Sequence, residues 1–307
     1  MTAISLAMIV KNEAHILGNC LNSVRGLVDE VIIMDTGSTD MTKFLAKSFG
    51  AKQFDFEWCD DFSKARNAAI KECKSDWILV LDADEAIYSR DHEAIRAAVS
   101  TTEAYAFNLP IWNYLPTQNV LIMGEEPSPN PFFNDETFPQ SSPYPFYVPH
   151  DGTRLFRSRG EDVYNGCIHE TPHGYFQSRG LALQDSPAVI HHYGKVLEDR
   201  EASKGPYYLS LAQEEAARHP EDPRAWFNVF QQALVVQDAS LVLHAARQYM
   251  RLLNKSAPAA IYIGAGMALR ELGQIDESIV CFDAVLNHDP SNKVARKQRD
   301  MSMQTKK

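Results

Sequence analysis

Three apolar runs near the start of the chain each end abruptly in a polar cluster, and this alternation restricts the fold more than any other feature. Residues 3–10 run into Lys11-Asn12-Glu13. Residues 30–34 run into Asp35-Thr36-Gly37-Ser38-Thr39-Asp40. Trp77-Ile78-Leu79-Val80-Leu81 runs into Asp82-Ala83-Asp84-Glu85. Near-continuous apolar bulk of this length belongs to strands covered on both faces. Between the runs, Ile16, Leu17, Cys20, Leu21 and Val24 recur at helical spacing. So do Phe44, Leu45 and Phe49, and then Phe62, Ala65, Ala69, Ile70 and Cys73. A further short strand is expected over 52–56. Strand, helix, strand, helix predicts a doubly wound α/β sheet. Ligands of such sheets bind at the carboxyl ends of strands, where all three polar clusters fall.

Beyond residue 104 the pattern changes. Ala104–Leu109 reads as a strand. Residues 113–150 hold eight of the 16 prolines, with several Asn and aromatic residues. That composition reads as a long loop, of the kind that is usually functional or disordered. Thr153–Arg157 and Ala188–His192 read as short strands, and everything from about residue 196 as helix. Residues 259–292 form a two-helix unit in which Tyr262, Gly266, Leu269, Gly273, Phe282 and Pro290 follow an order that resembles the tetratricopeptide pattern. A unit from about residue 223 fits less closely. At about 150 residues per domain the chain makes two, with 1–195 α/β and 196–307 all-α.

Composition narrows the function classes. The chain is 45% hydrophobic and 23% charged, which excludes a disordered polymer. No stretch approaches the roughly 20 apolar residues of a membrane span. Forty acidic against 30 basic residues give a net charge of −10, with the deficit in residues 1–200. That balance argues against nucleic acid, whose phosphates need basic surface. The five cysteines are odd in number and lack metal-ligand spacing, so they read as free thiols in a reducing, cytoplasmic compartment. The apolar 3–10 run is too short for a signal peptide. No Walker loop, dinucleotide fingerprint or serine elbow is present.

Asp82-Ala83-Asp84 is the sharpest chemical cluster. Alternate carboxylates after a strand can both reach one hard cation, and oxygen ligands select Mg²⁺ or Mn²⁺ over Zn²⁺. Taken alone, the same residues equally form a turn or a helix cap. The combination is more specific. Ile9-Val10-Lys11-Asn12-Glu13, Asp35–Asp40, Phe62-Ser63-Lys64-Ala65-Arg66-Asn67 and Asp82–Glu85 occur in an order and spacing that resembles family 2 glycosyltransferases. The likeness is to the subgroup with a C-terminal tetratricopeptide-like region. It continues through Thr153–Arg157, Tyr164–Glu170 and His192-Tyr193-Gly194.

The resemblance implies a GT-A fold, Rossmann-like with a mostly parallel sheet, as the catalytic domain ahead of the helical one. It implies inversion at the anomeric carbon, a nucleotide-sugar donor (a UDP-sugar first) and Mn²⁺ or Mg²⁺. By the same likeness Asp82, Asp84 and His192 hold the metal, with Asp84 the direct ligand and Asp82 also able to face the ribose. Asp35, Asn12 and Glu13 line the nucleotide pocket, or else form the turn with Gly37 and cap the first helix. Arg66 and Asn67 meet the diphosphate or base, or make a surface ion pair. Glu170 is the candidate base, with His169 orienting it or contacting the donor, and Asp151 is a rival. Arg154 and Arg157 suit a phosphate or a sheet-edge ion pair.

The acceptor class stays open among a saccharide, a lipid-linked saccharide and a peptide. The helical repeats suit a homodimer, a protein partner or the acceptor. Two other readings compete. One is an interaction scaffold whose α/β domain is inactive. The other is a nucleotidyltransferase, against which stands the missing basic glycine-rich loop.

Overall fold

A computed structural model describes residues 2–115, 132–133, 141–186, 188–194, 200–253 and 256–306, with the backbone alone at 132–133 and 200–203. The expected 195/196 boundary and most of the proline-rich stretch, including Phe138, lie outside the described residues. The described chain clusters into two compact units, divided between residues 198 and 199.

The first unit begins β1 (Ile4–Val10), α1 (Leu17–Ser23), β2 (Glu30–Asp35), α2 (Thr42–Ser48), β3 (Lys52–Asp55), α3 (Phe62–Glu72) and β4 (Trp77–Val80). It continues with β5 (Glu85–Ala86), α4 (His92–Thr101), β6 (Ala106–Leu115), β7 (Phe132–Phe133), β8 (Phe146–Arg157), α5 (His173–Ser178), β9 (Leu183–Asp185) and β10 (Ile190–His192). The strands form one mixed sheet in the order β3-β2-β1-β4-β8-β6-β10-β5. β3, β2, β1 and β4 run parallel, so β1, β2 and β4 end at the same edge. This is the α/β architecture that the resemblance implies.

Alternate strand residues feed two cores. Leu6, Met8, Val10, Leu79 and Leu81 pack with Leu17, Cys20 and Leu21 of α1 and Ile95 and Val99 of α4. Ala7, Ile32, Met34, Ile78 and Val80 pack with Ala69 and Ile70 of α3 and Phe176 of α5. Burial of every residue of β4 explains its unbroken apolar run. Truncating one such aliphatic side chain to alanine costs about 2–5 kcal/mol.

One expectation needs correction. The strand expected over 104–109 runs to Leu115, and the one expected from Thr153 starts at Phe146. Both ends of the supposed 113–150 loop are therefore sheet. β6 and β8 pair antiparallel along all of β6, with Pro149 opposite Trp112. Proline density points to a loop because proline removes a ladder donor, yet here Pro110 of β6 and Pro149 of β8 are both accommodated inside strands.

The second unit is helical: α6 (Arg200–Arg218), α7 (Pro223–Val235), α8 (Ala239–Leu252), α9 (Ala259–Glu271), α10 (Ile275–His288) and α11 (Lys293–Thr305). The expected 259–292 unit is the α9–α10 hairpin. Asp222, Asp238 and Asn292 cap α7, α8 and α11 by accepting backbone N–H groups. Gly264 and Gly266 let α9 approach its neighbours closely. A Cβ on them would lie 2.5 Å from Phe230 and 2.7 Å from Phe282. No helix among the described residues is long and apolar enough to cross a membrane.

Candidate active site

The ends of β1 and β2 are stitched together. Asn12 adopts a left-handed φ of 57°, which Asn tolerates better than most residues. Its N–H donates to Ser38 Oγ at 2.9 Å, and its Oδ1 accepts from Thr39 N at 2.8 Å. The Glu13 N–H donates to Thr42 Oγ1 at 2.7 Å. Asp35 is 1% exposed. Its Oδ1 accepts from the N–H groups of Gly37 and Ser38 at 2.9 and 2.7 Å, closing the turn. Its Oδ2 is buried without a partner. Lys43 Nζ stands 3.9 Å from Oδ1.

The helix α3 contributes an arginine to an ion network at the end of β4. Arg66 Nε pairs with Glu170, and its Nη2 donates to Asp82 Oδ1 at 2.7 Å. Arg154, from β8, donates to Glu85 Oε1 at 2.9 Å and stands 3.7 Å from Asp82 Oδ2. Glu85 Oε2 accepts the Asp82 N–H at 2.8 Å. Burial opposes the charge on Asp82, but the guanidiniums of Arg66 and Arg154 outweigh it and hold its carboxyl down at about 2. Burial wins at Glu85 and pushes that carboxyl above the ordinary glutamate range. Glu170, 9% exposed at its side chain, is thus joined to the cluster. His169 lies exposed beside it with a left-handed φ of 49°.

Asn67 does something else. It is 6% exposed. Its Nδ2 donates to the Tyr164 carbonyl, and its Oδ1 accepts from the N–H groups of Val163 and Tyr164. The carboxamide clamps the segment leading to Glu170.

Asp84 meets His192 through main-chain pairing. β5 runs antiparallel to β10 with Glu85 opposite His192, and the Tyr193 N–H donates to the Asp84 carbonyl at 3.0 Å. Asp84 Oδ2 then lies 3.6 Å from His192 Nε2. Burial disfavours the imidazolium, but the Asp84 carboxylate outweighs it and raises the His192 pKa. A Cβ built on Gly194 would fall 2.6 Å from His192 Nε2 and 2.8 Å from Asp84 Oδ2. Only glycine leaves that space open. A cavity of about 230 Å³, lined in part by Asp84, Tyr144 and Tyr193, adjoins this pair.

A carboxylate suits Mn²⁺ or Mg²⁺, and the imidazole beside it tilts the pair toward a transition metal such as Mn²⁺. Among the described residues no group of three or more His, Cys, Asp or Glu is placed to hold a metal ion. Asp84 and His192 are brought together, whereas Asp82 is turned to the two guanidiniums. Asp151 is exposed on β8. Arg157 donates to the carbonyls of Ala104 and Thr102 at the sheet edge.

Three further residues belong to this site. Glu85 lies within the Asp82–Glu85 motif, but the sequence pattern assigns it no role of its own. Asn113 and His150 carry no sequence signal, because they lie in the stretch that reads as loop. His192 Nδ1 contacts Asn113 Oδ1 at 2.6 Å, and Asn113 Nδ2 contacts His150 Nδ1 at 2.8 Å. Burial, with Arg154 and His192 nearby, depresses the His150 imidazole to about 4.

Residues 5–160 match the profile described as Glycosyl transferase family 2. A TPR repeat-containing protein of Synechococcus elongatus is 32% identical over 93% of this chain and 66% of its own length. The SPbeta prophage-derived glycosyltransferase SunS of Bacillus subtilis is 29% identical over 76% of this chain and 50% of its own. The chain therefore spans between half and two thirds of these relatives. The crystal structure of S. aureus TarS 1–349 aligns with 99% of this chain and 92% of that one, at 13% identity and a TM-score of 0.45.

Proposed function

Because the chain belongs to glycosyl transferase family 2, we propose that it moves a sugar from a nucleotide-sugar donor to an acceptor hydroxyl or thiol in one inverting, in-line displacement. The observation that carries this reading is the placement of Asp84 against His192, 3.6 Å apart, at the sheet edge where the Arg66–Asp82–Glu170 network also lies. Asp84 and His192 would hold Mn²⁺ or Mg²⁺, which supplies Lewis-acid stabilisation to the charge on a departing diphosphate.

The chain's own residues divide the remaining work. Asn12, Glu13 and Asp35 form the wall against which the nucleotide sits, with a UDP-sugar the first donor to try. Arg66 and Asp82 face the donor's ribose or diphosphate. Glu170 is held at Oε1 by Arg66, which leaves Oε2 to take the acceptor proton. Trp112 and Tyr147 stack at 4.1 Å and are each half-buried. Their flat face suits the C–H face of a sugar ring, which favours a saccharide among the acceptor classes. Residues 1–195 would carry the chemistry. Residues 196–307 would hold a protein partner, a second copy or the acceptor.

Calorimetry with UDP-, GDP- and dTDP-sugars in the presence of Mn²⁺ tests this reading, with Asp84→Ala alongside. Metal-dependent binding of one donor, lost in the variant, is expected. Full donor binding by the variant refutes the assignment. Failure of every donor to bind the wild type transfers the function to the helical repeats.

A further inference from the structure

The side chain of Asn113 makes three contacts that together fix its orientation. Its amide nitrogen donates to the Val148 carbonyl at 3.1 Å and to His150 Nδ1 at 2.8 Å. Its oxygen faces His192 Nδ1 at 2.6 Å. A backbone carbonyl only accepts, so the nitrogen must be the atom turned to Val148. The oxygen is then the atom turned to His192, and only a protonated Nδ1 satisfies it. When the ring is neutral, as a cation ligand must be, Nε2 is then its lone-pair atom. Nε2 is the atom that stands 3.6 Å from Asp84 and borders the open space at Gly194.

Main-chain ladders hold this arrangement in place. Asn113 lies opposite His192 in the parallel β6–β10 pair and opposite Val148 in the antiparallel β6–β8 pair. The three side chains are therefore carried on one sheet and share its rigidity.

We infer that Asn113 is a positioning residue that selects the Nδ1–H tautomer of His192 and aims its Nε2 lone pair at the space beside Asp84 and Gly194. This rests on the proposed role of Asp84 and His192 in holding a divalent cation. The ring nitrogen that a metal does not use is set by the hydrogen bond it makes. That hydrogen bond orients the ring and raises the basicity of the ligating nitrogen. Loss of such a partner typically weakens metal binding about 10- to 100-fold. With an apolar residue at 113, the proton is free to move to Nε2, and an Nε2–H cannot bind a cation.

Paramagnetic resonance titration with Mn²⁺ in the presence of UDP tests the inference on the full chain. The wild type is compared with Asn113→Leu, His192→Ala and the double variant. Asn113→Leu is expected to weaken Mn²⁺ binding about 10- to 100-fold. It should add nothing once His192 is alanine, because its effect passes through that ring. Nitrogen NMR of the metal-free protein at alkaline pH reads the tautomer directly. His192 should carry its proton on Nδ1 in the wild type and shift toward Nε2 in Asn113→Leu, a change that loosened packing alone does not produce. Wild-type Mn²⁺ affinity in Asn113→Leu, with binding lost in His192→Ala, overturns the role of Asn113 and leaves the cation site standing. Wild-type affinity in His192→Ala overturns the cation site, and the role of Asn113 with it.

Discussion

Replacing Gly194 with alanine places one methyl group against both proposed cation ligands. The added Cβ would lie 2.6 Å from His192 Nε2, 3.1 Å from its Cε1 and 2.8 Å from Asp84 Oδ2. Ordinary van der Waals contact begins at 3.4 Å, so the imidazole must retreat by about 0.8 Å. It cannot retreat freely, because its other nitrogen is held by Asn113 at 2.6 Å. Asp84 is tethered as well, through its carbonyl and the Tyr193 N–H at 3.0 Å. Disturbing the groups that orient a metal ligand weakens metal binding about 10- to 100-fold. Gly194→Ala should therefore weaken Mn²⁺ binding in the presence of UDP by about 10- to 100-fold, about 1.4 to 3 kcal/mol. The backbone at 194 does not require a positive φ, so any loss of stability comes from this contact alone, about 1–3 kcal/mol of overpacking. Calorimetry for binding and a thermal melt for folding check the two halves. Binding within about threefold of the wild type, a difference of less than 1 kcal/mol, would refute the steric reasoning.

Other perturbations probe the network, its protonation and the helical packing. Arg66→Met leaves Asp82 and Glu170 without their shared guanidinium. It should cost about 3 kcal/mol in urea unfolding, at the low end for a buried pair because Asp82 keeps some solvent contact. A loss under about 1 kcal/mol would mean that solvent already screens the pairs. His191 is buried, stacks on Tyr88 and has its pKa driven down to about 3, by burial first and by Arg90 second. The unfolded chain binds a proton that the folded one does not. Stability is therefore full above about pH 6.5 and falls by about 1.4 kcal/mol per unit as pH drops toward 3. His191→Phe should remove that share of the slope, and an unchanged slope in pH-dependent melts would contradict it. Asp82 works in a lower window. Its folded pKa is depressed, so its contribution is present above about pH 4 and disappears as pH falls toward about 2. In the helical unit, Gly264→Ala drives a methyl to 2.5 Å from the Phe230 ring. That should cost about 1–3 kcal/mol of overpacking, read as a lower melting temperature.

Patterns of short range are legible in the chain itself. The apolar runs of β1, β2 and β4 and the helical spacing of α1 and α3 depend on neighbours within a few residues. A parallel sheet then carries the residues after β1, β2 and β4 to one edge. That is why Asn12, Asp35, Asp82 and Asp84 stand out as candidate site residues in the sequence by itself. The α9–α10 hairpin is legible for the same reason. Side-chain partners are not. Arg66 meets Glu170 across 104 positions and Asp82 across 16, and His192 meets Asn113 across 79. No local spacing encodes those distances. The tertiary structure decided that Asp82 answers to arginine while Asp84 answers to histidine, although only Ala83 separates the two carboxylates in the motif. It also decided that Asn67 clamps a backbone segment and that the flanks of a proline-rich stretch are strands bearing Asn113 and His150. A turn between β4 and β5 sends Asp82 and Asp84 in different directions, and strand pairing with β10 brings Asp84 to His192.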